Sequence, residues 1–435
     1  MTTMANDAVT PGGGSWLEFP EHRAWAIEQA LRLLAFFAPT VDSEGWFVEL
    51  DDDGRPLPVG CPPGTSPRQN LLTVTRAVHS YALGEMLGIP GCRAIVERGL
   101  DALWSEHRDA AAGGYVEAVG RGGPGDGTKA AYGHAHVLLA AASAVAAGHA
   151  RASAIFDDAL AIIDEHFWSE DDGAASTEAC DREWRTLEPY RGANSNMHLC
   201  ESLLAAAEVG ERTDLADRAA RLAARFIDGQ ARGHGWLLPE HYDTSWQPMP
   251  EYNRDHLDDP FRPYGATVGH SLEWARLVCC ARLATGRRDD WFFEAAEAMF
   301  ERAVTVGWDR SHGGLVYTVG WDGAPANPDH YWWPVAEGIA TSSYLLRLTG
   351  REMYEKWYRA FWEYAATHLI DRERGGWYPE LDAQNRRKVH PWYGKPDIYH
   401  SLQACLLPIL PVASSAVGAV RRRGAPPGPP VAEAS

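Results

Sequence analysis

The chain has 435 residues, 45% of them hydrophobic, enough for one large domain or two to three ordinary ones. Lys+Arg 40 against Asp+Glu 59 leaves a net charge of −19, which argues against a nucleic-acid or anionic-membrane partner. Seven cysteines form no CxxC and no even framework, no basic-then-apolar leader opens the chain, and no run reaches about 18 apolar residues. These features predict a cytoplasmic protein with free thiols and no membrane span.

Residues 1–15 are polar and glycine-rich and are expected to be disordered. The same expectation holds for residues 412–435, which contain SSAVGAVRRRGAPPGPPVAEAS. Between them, residues 16–411 read as a single repeating domain. A glycine turn with strand-like residues after it recurs at EGWFVEL, GGYVEAV, DGAASTEA, HGWLLPEH, GGLVYTV and GGWYPEL, with glycines at 45, 114, 173, 235, 314 and 376. A loop and a long apolar-periodic segment follow each turn: LLTVTRAVHSYALGEMLG, AYGHAHVLLAAASAVAAG, SNMHLCESLLAAAEVG, TVGHSLEWARLVCCARLATG, VAEGIATSSYLLRLTG and DIYHSLQACLLPIL. Each has a helix-like partner, residues 21–38, 91–107, 150–166, 213–229, 288–306 and 351–369. Twelve helices in six pairs predict an all-α fold, an (α/α)6 barrel of six inner and six outer helices with short β-hairpin turns at one rim. No polar capping repeat marks either end, which favours closure over an open helical scaffold.

Polar residues fall at matching levels at the starts of the post-turn helices: Arg76, His134 and His136, His198, His270, Glu337 and His400. His270 has Glu273 and Trp274 on the same helix face, His198 has Glu201 three positions on, and His400 has Gln403. One such histidine is usually a packing residue, but three at one level point to a shared pocket. Of His134 and His136, one faces inward, and His134 is assigned to the binding set. His and Glu are metal ligands, yet HExxH, Glu-x-x-His and cysteine sets are missing, and no metal is expected. Glu201, Glu273, Glu337 and Asp397 are candidate carboxylates for glycoside hydrolysis. Imidazoles suit proton transfer next to a carbonyl better, with Arg76 available for a developing enediolate oxygen. Trp332 and Trp333 suit stacking on a sugar face or packing at the rim.

VGHSLEWARL, ANSNMHLCESLL, KAAYGHAHVLLAAA and above all GKPDIYHSLQACL resemble the N-acylglucosamine 2-epimerase superfamily over about residues 20–410. The GKPDIYH stretch resembles the branch holding the D-mannose and sulfoquinovose isomerases. The resemblance implies the (α/α)6 barrel and aldose–ketose isomerisation, or C2 epimerisation, of a monosaccharide without a metal or other cofactor. It implies His270 and His400 as the acid/base pair, acting through a cis-enediol, with Arg76 on the enediolate oxygens. His198, Asn194 and Glu273 would bind hydroxyls and orient the histidines, and Trp333 and Glu337 would line the pocket. His136 departs from the pattern, which has an aromatic residue such as Phe there. A sulfoquinovose isomerase would need a basic anchor, for which Arg262 is a candidate. Arg262 reads equally as a structural residue paired with Asp258 or Asp259. A non-catalytic carbohydrate-binding scaffold would keep the tryptophans without needing His270 and His400. A monomer or homodimer is expected.

Overall fold

The structure is a computed structural model that describes residues 14–423 except 58–67, 122–124, 390–391 and 397. Its helices are α1 (Pro20–Phe37), α2 (Leu71–Met86), α3 (Cys92–Ala102), α4 (Ala131–Ala146), α5 (Ala150–Ile162), α6 (Ala193–Gly210), α7 (Thr213–Ala223), α8 (Val268–Thr285), α9 (Trp291–Gly307), α10 (Trp332–Thr349), α11 (Glu352–Tyr364), α12 (Tyr399–Leu406) and α13 (Ala416–Arg421). The even-numbered helices α2–α12 form an inner ring, and α12 returns to α2 and closes it. The odd-numbered α1–α11 form an outer ring, with α1 packing on α12 as the outer partner of the last unit. Helix rings therefore replace the open scaffold.

Composition separates the rings. An inner helix touches neighbours on every side, so it is apolar all round; Ala140, Ala141 and Ala142 of α4 are all fully buried. Small residues let the six helices approach closely. Outer helices keep one wet face: α7 buries Leu215, Ala216, Ala219 and Leu222 and exposes the charged residues between them. Most inner helices end at a left-handed glycine, as at Gly88, Gly148, Gly286 and Gly350. In α6 the predicted stop Gly210 stays helical, and Glu211 takes the left-handed turn at φ 52°.

Several outer helices finish in a wide turn, with Arg108 N–H donating to Leu103 O and Ile370 N–H to Ala365 O, five residues back. An aspartate-led turn follows. Asp109, Asp309 and Asp371 each accept at the main-chain oxygen from the glycine four positions on and donate to the glycine five on. Gly314 there has φ 86°, and a Cβ would lie 2.5 Å from the Tyr364 ring. The chain then returns to the inner ring through short strands. Four of these pair antiparallel in the order Glu380–Leu381, Pro325–Tyr331, Val316–Val319, Ala266–Thr267, bridging three units at one rim.

Both terminal expectations need correction. Residues 1–13 and 424–435 lie outside the described residues. Gly14 and Ser15 are tied down: Arg359 donates to Gly14 O, and Ser15 Oγ donates to Glu355 at 2.7 Å. Residues 412–423 are ordered, because the AVGAV run is apolar enough to bury. Helix α13 packs on α2, α4 and α6 at the end of the barrel where the inner helices finish. Ser415 caps it by accepting from Gly418 N–H, and Arg422 pairs with Glu208 at 2.9 Å. The six described cysteines, Cys92, Cys180, Cys200, Cys279, Cys280 and Cys405, are buried free thiols. No described helix is long and apolar enough to cross a membrane.

Val417 has no exposed surface. Val417→Asp is expected to lower the unfolding free energy by about 3 kcal/mol, since an unpaired charge would be buried under α13. Urea denaturation measures this, and a loss below about 0.5 kcal/mol would show that the C-terminal helix is not part of the fold.

Candidate active site

Every inner helix but the last begins where a short strand delivers the chain to the same rim, so first-turn side chains of different units meet there. His270 lies in the first turn of α8, and its Nδ1 is 3.0 Å from Glu240 Oε1, from the hairpin before that helix. His400 lies in the first turn of α12, and its Nδ1 is 2.8 Å from Glu337 Oε1, from the first turns of α10. Both carboxylates are buried. A carboxylate accepting Nδ1–H leaves the Nε2 lone pair as a base. Nε2 of each ring has no hydrogen-bond partner among the described residues.

Trp333 packs against both imidazoles, its ring centroid 5.1 Å from His270 and 5.6 Å from His400. Gly269 makes room for it, because a Cβ there would come within 2.2 Å of the indole. The glycine before His270 thus has a packing reason within the motif. Trp332 is buried, with its ring edge toward Trp392 at 5.8 Å.

Beneath the histidines lies a charged layer. Arg276 of α8 is buried and donates to Glu337 Oε2 through Nη2 at 2.9 Å and Nε at 3.2 Å. Its Nη2 is also 3.7 Å from Glu273 Oε1. Burial pushes the Glu337 carboxyl up, but Arg276 and the His400 N–H outweigh burial and hold it below the ordinary value. Glu273 is raised well above the ordinary value by burial and then by Glu337 and Glu201, and neither of its oxygens has a hydrogen-bond partner among the described residues.

The other wall comes from α2, α4 and α6. Arg76 donates to the Tyr132 hydroxyl at 2.9 Å and lies 5.1 Å over the Tyr399 ring. His198 packs against Tyr132, His136 and Tyr399. Its Nδ1 is 3.5 Å from Glu201 Oε2, too long for a well-formed hydrogen bond, and burial pushes its pKa down to about 4. Tyr399 donates its hydroxyl to Glu201. Asn194 lies one turn before His198 on the same face of α6, half-buried, with no partner for its Oδ1 among the described residues.

Four expectations change. His134 does not reach the pocket: Nδ1 meets Ala130 O at 2.7 Å and Nε2 accepts from Tyr115 N–H at 2.9 Å, so both nitrogens hold backbone. His136 is the inward member, with Nδ1 on Tyr132 O and Nε2 without a partner among the described residues. Glu273 and Glu337 are buried one layer down instead of lining a wall, only Glu337 of the two holds a histidine, and Trp274 packs between the rings against Phe226. Arg262 pairs its guanidinium with Glu188 at 2.5 and 2.9 Å and lies over Tyr190, while its main-chain N–H donates to Asp259 Oδ1 at 2.8 Å. Asp397 lies outside the described residues. Sequence reasoning missed Glu240, Arg276, Tyr132 and Tyr399. Only a charged residue inside an otherwise apolar helix gave a signal, and only for Arg276.

His198, Glu201 and Glu273, and likewise Glu273, Glu337 and His400, each bring ligand-type atoms within 4.8 Å of one another. The sequence reading of no metal did not foresee these clusters. At the second, the Arg276 guanidinium already provides the cation, and the donors of Glu337 and His400 are bonded to each other.

The site is thus a closed ring of helix pairs that carries two carboxylate-backed imidazoles at one rim. The N-acylglucosamine 2-epimerase (GlcNAc 2-epimerase) model matches residues 45–404, and the chain belongs to this family. It is 41% identical over 411 residues to a D-mannose isomerase of Pseudomonas cannabina pv. alisalensis, covering 93% of this chain and 97% of that one. It is 42% identical over 414 residues to a D-mannose isomerase of Thermobifida fusca, covering 94% and 99%. A crystal structure of a D-mannose isomerase superposes with a TM-score of 0.83 at 30% identity, covering 90% of this chain and 99% of that one. The cellobiose 2-epimerase of Spirochaeta thermophila shares the fold, with a TM-score of 0.76 at 19% identity and coverage of 89% and 95%.

Burial pushes His22, His79 and His134 down to about 4 from 6.5. A depressed pKa gives stability that is present above pH 6.5 and is lost as pH falls toward 4. Glu117 and Glu380, raised to about 7 by burial, act in the opposite sense. His79→Gln removes one titrating group and keeps a polar atom near Ser143, whose Oγ lies 2.7 Å from the imidazole. Its unfolding free energy is expected to fall less steeply than the native protein's between pH 6.5 and 4.5, by up to about 1.4 kcal/mol per pH unit. Equal slopes in urea melts would contradict this reading.

Proposed function

We propose that the chain is an aldose–ketose isomerase that interconverts D-mannose and D-fructose, with D-lyxose and D-xylulose as a second pair. The observation that carries this reading is the packing of His270 and His400 against the same Trp333, each with Nδ1 on a buried carboxylate and Nε2 without a partner among the described residues. Isomerisation moves a proton between C2 and C1, so it needs a group that takes a proton at neutral pH and returns it one carbon away. An imidazole with Nδ1–H on a carboxylate does this, because the carboxylate stabilises the imidazolium formed when Nε2 takes the proton.

One histidine opens the pyranose ring. The other removes the C2 proton to give a cis-enediol and delivers it to C1. Arg76 stabilises the oxygen on which charge develops. Asn194 and His198 bind hydroxyls, and His198, neutral at pH 7, donates or accepts without adding charge. Trp333 offers an apolar surface to the sugar face. Glu240 and Glu337 hold the tautomers.

The state of Arg262 favours a neutral sugar over sulfoquinovose. Its guanidinium already has the Glu188 carboxylate across both nitrogens, so a sulfonate would have to displace it.

Proton NMR with D-mannose in D2O tests the activity. Fructose is expected, with deuterium entering at the transferred position; glucose appearing as well would mean that C2 epimerisation shares the intermediate. Unchanged mannose alongside turnover of sulfoquinovose would replace the substrate assignment. His270→Ala and His400→Ala are each expected to lower kcat by about 10²–10⁴-fold with sugar binding retained. Unchanged turnover would favour a binding scaffold. Glu337→Gln should lower kcat by about 10²-fold or more, because the amide can present its N–H to Nδ1 and reverse the tautomer. EDTA should leave activity intact, and loss restored by a divalent ion would move the chemistry to the His–Glu clusters.

A further inference from the structure

The GKPDIYH stretch places Lys395 five residues before His400, and proton transfer gives this lysine no task. Its side chain is completely buried. Nζ donates to Asp371 Oδ2 at 2.9 Å, to Asp52 O at 3.0 Å and to Gly375 O, which accounts for all three ammonium protons. The Lys395 N–H donates to Leu50 O at 3.0 Å, forming an antiparallel bridge to the first hairpin. Nζ also lies 4.7 Å over the Phe36 ring of α1. One side chain therefore joins the first hairpin, the first outer helix and the turn of the last unit. Gly394 allows the approach: its φ is 70°, and a Cβ there would fall 2.1 Å from Leu50 O.

The same device appears elsewhere. Lys129, just before α4, is buried, donates to Arg182 O at 2.6 Å and lies 3.4 Å from Asp109. His330, just before α10, has Nε2 3.8 Å from Asp309. At Lys129, as at Lys395, the aspartate that leads a unit's turn meets a lysine placed just before the same unit's inner helix, whereas His330 stands at the corresponding place without a hydrogen bond to its aspartate. At Lys395 the tie extends to the other end of the chain. It also leads into α12, whose eight residues make it the shortest inner helix. No covalent link joins the first and last units, so His400 has its place only as well as the ring is closed.

We infer that Lys395 is a positioning residue for His400, a buried clasp that closes the ring at the rim and fixes the start of α12. The inference rests on the reading of His400 as a proton-transfer group. Without the ammonium, Asp371, Gly375 O and Asp52 O lose a shared donor, and the segment leading to His400 is free to shift. A displacement of about 1 Å at a reacting group is enough for a large loss in turnover.

The test compares Lys395→Met with Lys129→Met, which removes the corresponding lysine of a different unit, one that precedes α4 and not α12. Both should lower the unfolding temperature. In Lys395→Met, kcat on D-mannose should fall about tenfold or more with KM changed by less than about twofold. The His400 ring signals in 15N-histidine spectra should move while those of His270 stay. In Lys129→Met the His400 signals should stay. The inference is overturned if His400 is unmoved and kcat remains within about twofold, or if Lys129→Met shifts His400 as much as Lys395→Met does. Should Lys395→Met not fold, Asp371→Asn removes the counter-charge and keeps an acceptor oxygen. It should produce the same His400 shift, and an unshifted signal overturns the inference equally. The spectra need no sugar, so inactivity on D-mannose would sink the proposed reaction and leave this test standing.

Discussion

Arg276 is the charge on which the site rests. It is buried in the inner ring, donates to Glu337 and faces Glu273. A lone guanidinium there would be costly, and so would a lone carboxylate. Together they make a pair whose geometry is fixed because neither partner has water to turn to. Glu337 has a second oxygen left, and His400 takes it. The orientation of an imidazole at the rim is therefore set from below by an ion pair that no substrate touches. Burial and the neighbouring Glu337 and Glu201 carboxyls hold the Glu273 carboxyl well above its ordinary value, against the pull of Arg276.

The barrel provides this layer because its units are equivalent but not identical. Each hairpin returns the chain to the same rim, and each inner helix starts there. A first-turn residue in one unit thus becomes a neighbour of first-turn residues in the next. His270 takes its carboxylate from its own hairpin, whereas His400 takes it from the preceding inner helix. The two histidines share a local chemistry through different connections. Small residues in the inner ring let the helices approach, and Gly269 brings Trp333 close enough to pack against both imidazoles.

The first and last described segments are also structural. Gly14 and Ser15 attach to α11 through Arg359 and Glu355, and α13 covers the end of the barrel away from the hairpins. Composition misleads at both places. A stretch rich in Ala, Gly and Ser looks unstructured beside a Pro-rich tail, yet small apolar residues are what a crowded surface of helix ends can bury. The balance turns on what lies opposite, and one-dimensional patterning cannot report that.

The sequence by itself determined the architecture. Six glycine turns, six apolar segments with helical period and six partners fix the helix count, because periodicity and turn chemistry are local. It also placed His198, His270, Glu337 and His400 near the starts of the inner helices, since like positions within a repeat gather at one end of a ring, although Glu337 lies one layer below the histidines. Tertiary structure decided the rest. Glu240 became a histidine's partner, His134 turned to the backbone, His136 turned inward, and Arg262 closed on Glu188. These outcomes depend on contacts between residues distant in the chain and on the few tenths of an ångström that separate a hydrogen bond from a near miss. Spacing along a helix gives a side chain's height and face; only the packed neighbours give it a partner.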